Sequence, residues 1–259
     1  MQHTFYKYQG TGNDFVIIDN RQLNFDKNDT KRIAFICDRR FGIGADGLIL
    51  LEHHETVDFK MVYFNADGNE SSMCGNGGRC ITAFANYLGI IKKMTLFEAI
   101  DGLHEAAIEN NTVSLKMQDV STIEAHESHV FLDTGSPHHV QLEQDLSTIN
   151  IKSEGKAIRY GKPYNQVGSN VNFVVKNSND NFSVRTYERG VEDETLSCGT
   201  GVTAVALAMH YIGETEKNHV ILKTQGGDLK VTFDRHDNGY KNIWLIGPAI
   251  QVFKGSISW

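Results

Sequence analysis

The chain lacks any apolar run approaching the roughly 18 residues that a bilayer crossing needs, so no membrane-spanning helix is expected. It also lacks any Lys- or Arg-rich stretch. With a formal net charge of −7, that argues against nucleic acid or an anionic membrane surface as a partner. The N-terminal residues Met1 to Gly10 show no basic segment followed by an apolar one, so no secretory leader is expected and the cytoplasm is the expected location. In that compartment the 4 cysteines read as thiols and not as a disulfide framework. None belongs to a Cys-x-x-Cys pair, and no histidine stands near Cys74 or Cys198 in sequence. A metal site is therefore not expected, and nothing points to a cofactor. No low-complexity linker divides the 259 residues, which suffice for one large domain or two ordinary ones.

What the chain does have is an internal repeat. One copy reads Tyr63-Phe-Asn-Ala-Asp-Gly-Asn-Glu70-Ser-Ser-Met-Cys74-Gly75-Asn76-Gly77 and runs on to Tyr87 and Gly89. The other reads Tyr187-Glu-Arg-Gly-Val-Glu-Asp-Glu194-Thr-Leu-Ser-Cys198-Gly199-Thr200-Gly201 and runs on to Tyr211 and Gly213. The two align without a gap. So long a period predicts two homologous lobes and not a solenoid.

Periodicity and turn signals predict strand, glycine turn and strand over Phe5 to Asp19, then a helix over Lys31 to Arg39 capped by Asp29 and Thr30. Strands are expected at Leu48 to Glu52, Val57 to Asn65, Val113 to Met117, Val130 to Asp133, Asn172 to Val175 and Phe182 to Tyr187. A helix follows each repeat cysteine, to Leu88 and to Ile212, with Gly89 and Gly213 as closing residues. The second is apolar on most sides and should be buried. The expected fold is α+β: two pseudo-symmetric lobes, each a mixed, mostly antiparallel sheet around a central helix. Residues 1–118 form the first lobe with Cys74, completed by a final strand within 247–259. Residues 119–246 form the second with Cys198. The strand-like run Trp244 to Phe253 would carry the chain back to the first lobe.

Gly42-Ile-Gly44-Ala-Asp-Gly47 has the spacing of a dinucleotide fingerprint, but it follows a helix and precedes a strand. That order would not place a pyrophosphate on a helix N-terminus, so a loop is the better reading. The two Cys-Gly-x-Gly runs each stand just before a helix, where unpaired first-turn amides and the helix dipole attract anions. Such a position can hold a substrate carboxylate and favour a thiolate. A buried packing cysteine would account for one such motif. It need not recur in register with its glycines. Cys37 and Cys80 lack this setting and read as core; His53 and His54 read as solvated, and His138, in a turn after a strand, as a site candidate. Two thiols suit removal of a Cα proton from one face and delivery of another to the opposite face, with helix-end amides stabilising the carbanion through the carboxylate.

The chain resembles the diaminopimelate epimerase family from end to end. The resemblance is carried by Gly12-Asn13-Asp14-Phe15, Phe64-Asn65-Ala66-Asp67-Gly68, Cys74-Gly75-Asn76-Gly77, Gly135-Ser136-Pro137-His138, Asn172-Phe173, Glu188-Arg189-Gly190 and Cys198-Gly199-Thr200-Gly201, in this order. It implies cofactor-independent interconversion of LL- and meso-2,6-diaminopimelate, serving lysine and peptidoglycan synthesis, by a homodimer. By position, Cys198 resembles the proton acceptor and Cys74 the donor in the LL-to-meso direction. Gly75, Asn76, Gly199 and Thr200 resemble the amides that hold the reacting carboxylate. Asn13, Asn65, Asn172 and Arg189 resemble contacts to substrate polar groups, and His138 and Glu188 resemble residues lining the reacting centre. Two positions depart from the family's pattern: Ser136, where many relatives carry asparagine, stays a substrate contact, and Gly47, where some carry glutamine, does not. A proline racemase or hydroxyproline epimerase, a thiol–disulfide enzyme, and a non-catalytic amino-acid-binding module are the alternatives to test.

Overall fold

The computed structural model describes residues 2–258. They divide into two compact units, one made of the chain up to Leu115 together with the chain from Gly247 onward, the other of Lys116–Ile246. The first unit contains β1 (Gln2–Gly10), β2 (Asn13–Asp19), α1 (Thr30–Cys37), β3 (Gly47–Glu52), β4 (Phe59–Asn65), β5 (Glu70–Ser71), α2 (Gly75–Tyr87), β6 (Met94–Ala99), β7 (Gly102–Glu109) and β8 (Thr112–Lys116). The second contains β9 (Ile123–Ala125), β10 (Val130–Asp133), β11 (Pro137–Leu142), α3 (Ile151–Tyr160), β12 (Asn170–Ser178), β13 (Asn181–Glu188), β14 (Asp193–Thr195), α4 (Gly199–Tyr211), β15 (His219–Thr224), β16 (Gly227–His236) and β17 (Gly239–Pro248). The last strand, β18 (Ile250–Ser258), belongs to the first unit and pairs antiparallel with β1, Gln2 opposite Ser258.

The pairing order is the same in both units. In the first, β18, β1 and β2 are antiparallel, β2 and β3 are parallel across α1, β3 and β4 are antiparallel, and β4 takes β5 antiparallel and β6 parallel across α2. Antiparallel β7 and β8 follow. In the second, β9, β10 and β11 play the parts of β18, β1 and β2; β12 pairs parallel with β11 across α3; and β13 takes β14 antiparallel and β15 parallel across α4. Antiparallel β16 and β17 complete it. The fold is thus α+β, a mixed and mostly antiparallel sheet built twice. One detail departs from the gapless repeat. Tyr63 lies opposite Ser71 in the first unit, whereas Tyr187 lies opposite Glu194 in the second, a one-residue slip of register before the cysteine.

Each sheet wraps a buried helix. Every α2 residue from Gly75 to Ala85 is buried, and α4 is buried from Gly199 to Met209 apart from Thr200. The opposite face of the first sheet packs on α1, with Val16, Ile18, Ile33, Ile36, Leu48, Leu50, Val62 and Phe64 in one cluster. Strand β3 is buried along its whole length, which explains its unbroken apolar run. Each fully buried aliphatic or aromatic side chain contributes about 1.5–3 kcal/mol.

Several expectations are corrected. The first helix ends at Cys37 and not at Arg39, because the Asp38 carboxylate accepts the Arg40 and Phe41 N–H groups and turns the chain. Residues 56 and 57 form a turn ahead of β4, their N–H groups donating to His54 Nδ1. His54 is therefore not a solvated side chain; its Nε2 also lies 2.7 Å from Glu98. Trp244 to Phe253 is two strands, not one, broken at Ala249, whose N–H leaves the ladder for the Asn111 carbonyl. Helix α3 and strands β5, β6, β7, β9, β11, β14, β15 and β16 were not expected. Cys37 and Cys80 are core residues, and burial pushes both thiols up, that of Cys37 to about 12.

Candidate active site

In the first unit, Cys74 is the N-cap of α2, in extended conformation, and its sulfur accepts the Gly77 N–H at 3.2 Å. A backbone donor at the positive end of a helix favours a thiolate. The same sulfur lies 3.8 Å from Asn13 Oδ1. Asn13 stands at the start of β2, so the β1–β2 glycine turn brings it to the helix end. Buried Asn76 donates from Nδ2 to Asn13 Oδ1 at 3.2 Å. Asn13, Cys74, Gly75 and Asn76 thus form one cluster. Asn65 lies at the exposed end of β4, opposite Gly47.

Gly47 itself has no room for a side chain. A β-carbon there would meet the Phe64 carbonyl oxygen and Tyr63 Cε2, each at 2.5 Å. The Tyr63 ring occupies the space that a longer residue would need.

In the second unit, Cys198 caps α4 in the same way, but its sulfur accepts no cap bond from the helix; it lies 3.5 Å from the Thr200 hydroxyl. Asn172, fully buried on β12, lies so close that a β-carbon at Gly201 would come within 2.6 Å of its Oδ1. The polarity of Asn172 is fixed by its neighbours. Its Nδ2 donates to the His139 carbonyl at 3.0 Å, and its Oδ1 accepts from Thr186 Oγ1 at 3.0 Å. Nδ2 also meets His138 Nδ1 at 3.1 Å, so Nδ1 is the acceptor and the His138 proton sits on Nε2. His138 is completely buried, which lowers its pKa to about 3 with Arg189 adding to the effect, so the ring is neutral. Its Nε2 is buried with no hydrogen-bond partner among the described residues. His138, Asn172, Cys198, Gly199 and Thr200 therefore cluster.

Ser136 lies in the turn between β10 and β11, where its carbonyl accepts the Thr134 N–H at 3.1 Å. That turn is tied to the helix end by Thr134 Oγ1, which donates to the Thr200 carbonyl at 2.9 Å. Glu188 ends β13 and Arg189 follows it. The Arg189 N–H donates to Asn170 Oδ1 at 2.8 Å and its guanidinium to the Val167 carbonyl at 3.1 Å. Both are partly exposed.

Three groups that sequence reasoning passed over complete the picture. Thr186 orients Asn172. Asp46 accepts from Asn13 Nδ2 at 2.6 Å. Arg79 lies within α2, wholly buried, and donates to the Gly75 carbonyl, Thr11 Oγ1 and Asn76 Oδ1 at 3.0 to 3.1 Å. The signal for Arg79 was a charged residue on a helix otherwise buried all round, at the repeat position that Thr203 holds in the second copy. Among the described residues no group of three or more His, Cys, Asp or Glu side chains could hold a metal, and no helix is long and apolar enough to cross a membrane.

The diaminopimelate epimerase family model matches residues 5–123 and 130–252, once over each half. A diaminopimelate epimerase of Flavobacterium psychrophilum is 58% identical over 97% of this chain and 99% of its own length. One of Chlorobaculum tepidum is 43% identical over 96% of this chain and 99% of its own. Among solved structures, a PhzF-family phenazine biosynthesis protein of Bacillus anthracis superposes with a TM-score of 0.80 at 14% identity, covering 100% of both chains. A hydroxyproline epimerase of Agrobacterium vitis, with trans-4-hydroxy-L-proline bound, does so at 0.68 and 14%, covering 99% of this chain and 92% of that one. At such identities those two share the fold. Matched in both halves and over nearly its whole length, the chain belongs to the diaminopimelate epimerase family.

Proposed function

We propose that the chain interconverts LL- and meso-2,6-diaminopimelate without a cofactor, as a cytoplasmic homodimer supplying lysine and peptidoglycan precursors. The observation that carries this reading is a cysteine N-cap at the head of a buried helix in each unit, each followed by Gly-x-Gly. In the LL-to-meso direction, the Cys198 thiolate takes the α-proton and the Cys74 thiol delivers one to the opposite face. The electron pair left on Cα is held by the adjoining carboxylate, which the first-turn amides at Gly75, Asn76, Gly199 and Thr200 receive. First-turn N–H groups are oriented by the helix in advance and cost little reorganisation when that charge develops. Neutral His138 offers its Nε2–H as a donor that does not compete for the proton. Asn13, Asn65, Ser136, Asn172, Glu188 and Arg189 recognise the polar groups of the substrate, Arg189 suiting a remote carboxylate through its planar fork.

Turnover tests it. The purified protein, with no cofactor added, should convert LL- to meso-diaminopimelate and leave L-proline and trans-4-hydroxy-L-proline untouched. Epimerisation of proline alone would replace this reading with that of a proline racemase. A cycle that consumes and returns a Cys74–Cys198 disulfide would replace it with thiol exchange.

A further inference from the structure

Asn13 and Asn76 form an amide pair beside Cys74, and two charged groups fix which way round both amides stand. A carboxylate only accepts hydrogen bonds and a guanidinium only donates them. Asp46 Oδ2 takes a bond from Asn13 at 2.6 Å, so the amide nitrogen of Asn13 must face Asp46. Arg79 Nη2 gives a bond to Asn76 at 3.0 Å, so the amide oxygen of Asn76 must face Arg79. What remains is Asn76 Nδ2 donating to Asn13 Oδ1 at 3.2 Å, which leaves that oxygen as the atom presented to the Cys74 sulfur at 3.8 Å.

Both anchors are themselves held. Asp46 Oδ1 accepts from Arg39 Nη2 at 2.7 Å, and its Oδ2 also accepts the Asp14 N–H at 3.1 Å. Arg79 is buried among neutral acceptors, the Gly75 carbonyl, Thr11 Oγ1, Asn76 Oδ1 and, at 3.5 Å, the Pro248 carbonyl. An oxygen acceptor stabilises S–H and opposes S⁻. The second unit is built otherwise. Cys198 has the Thr200 hydroxyl beside it, which can donate, and Thr203 replaces Arg79 and merely bonds back to the Gly199 carbonyl.

The geometry points to Asp46 and Arg79 as positioning residues that lock the Asn13 carbonyl onto Cys74 and so keep that thiol protonated, ready to donate. This rests on the reading of Cys74 as the proton donor. Other charged and titratable groups around Cys74 include Arg79 and Cys80 on its own helix, Asp14, Lys7 and Arg39 behind Asn13 and Asp46, and Asp101 with His104 at the Met73 N–H. The Gly77 N–H and the Arg79 charge favour a thiolate; the Asn13 carbonyl opposes them, as do the carboxylates of Asp14 and Asp46.

Asp46→Asn removes one of the two anchors, because an amide can face Asn13 with either end, and leaves Asn76 alone to hold the Asn13 carbonyl toward Cys74. The orientation that turns the Asn13 nitrogen to the sulfur then gains population, opposed only by Asn76 Nδ2. The midpoint of the pH profile for alkylation of Cys74, read on its own peptide by mass spectrometry, should fall by about one pH unit. The kcat for the LL isomer should fall with little change in KM. Asp46→Glu should restore both. Loss of a negative charge alone would also lower the midpoint, so the Asn13→Ala background decides. There Asp46→Asn should lower it only by that charge effect, well short of the fall in the single variant. An unmoved or raised midpoint in the single variant, or an equal fall in the Asn13→Ala background, overturns the lock. Alkylation needs no substrate, so those outcomes stay separate from any failure of the epimerase reading.

Discussion

Gly201→Ala and Gly77→Ala are the same substitution at matching points of the repeat, and the surroundings predict opposite outcomes. A β-carbon at Gly201 would lie 2.6 Å from Asn172 Oδ1, and 3.2 and 3.3 Å from the Cys198 Cβ and sulfur. Ordinary contact is about 3.5 Å, so something must move by roughly 1 Å. Asn172 resists, because Thr186 holds its oxygen at 3.0 Å while His138 and the His139 carbonyl hold its nitrogen at 3.1 and 3.0 Å. Overpacking of this kind costs about 1–3 kcal/mol, from which the better helix propensity of alanine returns about 1. The net loss is up to about 2 kcal/mol, a fall in Tm of up to about 8 °C for a chain of this size. Displacing Cys198 or Asn172 by 1 Å should also lower kcat about 100-fold. At Gly77 the nearest atoms are the Cys74 sulfur, Ile49 Cδ1 and Met61 Cε, all at 3.3 Å and all at side-chain ends that can yield. That variant should melt within about 2 °C of the parent, since the propensity gain offsets the tight fit. Thermal melts and steady-state kinetics on both variants check this. A Gly201→Ala protein with parental Tm and kcat would refute the reasoning.

Further outcomes are expected. Cys198→Ser should slow α-proton abstraction from the LL isomer more than from the meso isomer, and Cys74→Ser the reverse, each by about 100-fold or more; equal tritium wash-in from the two isomers would refute the assignment of direction. Burial lowers the His138 and His139 pKa values to about 3 and about 4, so each ring stays neutral in the folded protein while its unfolded counterpart takes up a proton below about pH 6.5. Stability should therefore fall as pH drops from 6.5 toward 4, by up to about 1.4 kcal/mol per pH unit for each ring, and His139→Gln should flatten that slope in chemical denaturation. Asp14 is partly buried, yet hydrogen bonds from Arg39 and Lys7 hold its pKa at about 2, so its carboxylate stabilises the fold above pH 4 and loses that effect between about pH 4 and 2. Asp14→Asn should cost about 2 kcal/mol at pH 7 and little at pH 2; a pH-independent cost would count against the ion-pair explanation.

The cysteine caps, the buried helices behind them and the repeat were legible because each leaves a local signature: glycines at a helix start, apolar residues all round a helix, a closing glycine. Helix α3 was not, because only Ile151, Gly155 and Arg159 of it are buried and its apolar stripe is one residue wide. Its signal was a cap: Asn150 accepts from the Ser153 N–H while Glu154 reaches back to the Asn150 N–H. The duplication offered a second route, since α3 stands where α1 stands in the first unit. Asp46 and Arg79 were invisible for a different reason. An aspartate in a glycine loop and an arginine in a helix read as solvated groups, and only the fold shows that they grip two asparagines 33 and 3 residues away in sequence. The Gly47 departure reads as a lost contact in sequence, whereas the folded chain fills the place with Tyr63.

The most direct test of acid and base as two separate thiols is a single turnover of LL-diaminopimelate in deuterium oxide. Meso product carrying deuterium at the inverted carbon, with recovered LL substrate still protiated there, is the predicted result, because the base that removes the proton is not the acid that returns one. Meso product that retains the substrate's own hydrogen would mean that a single group does both, and would contradict it.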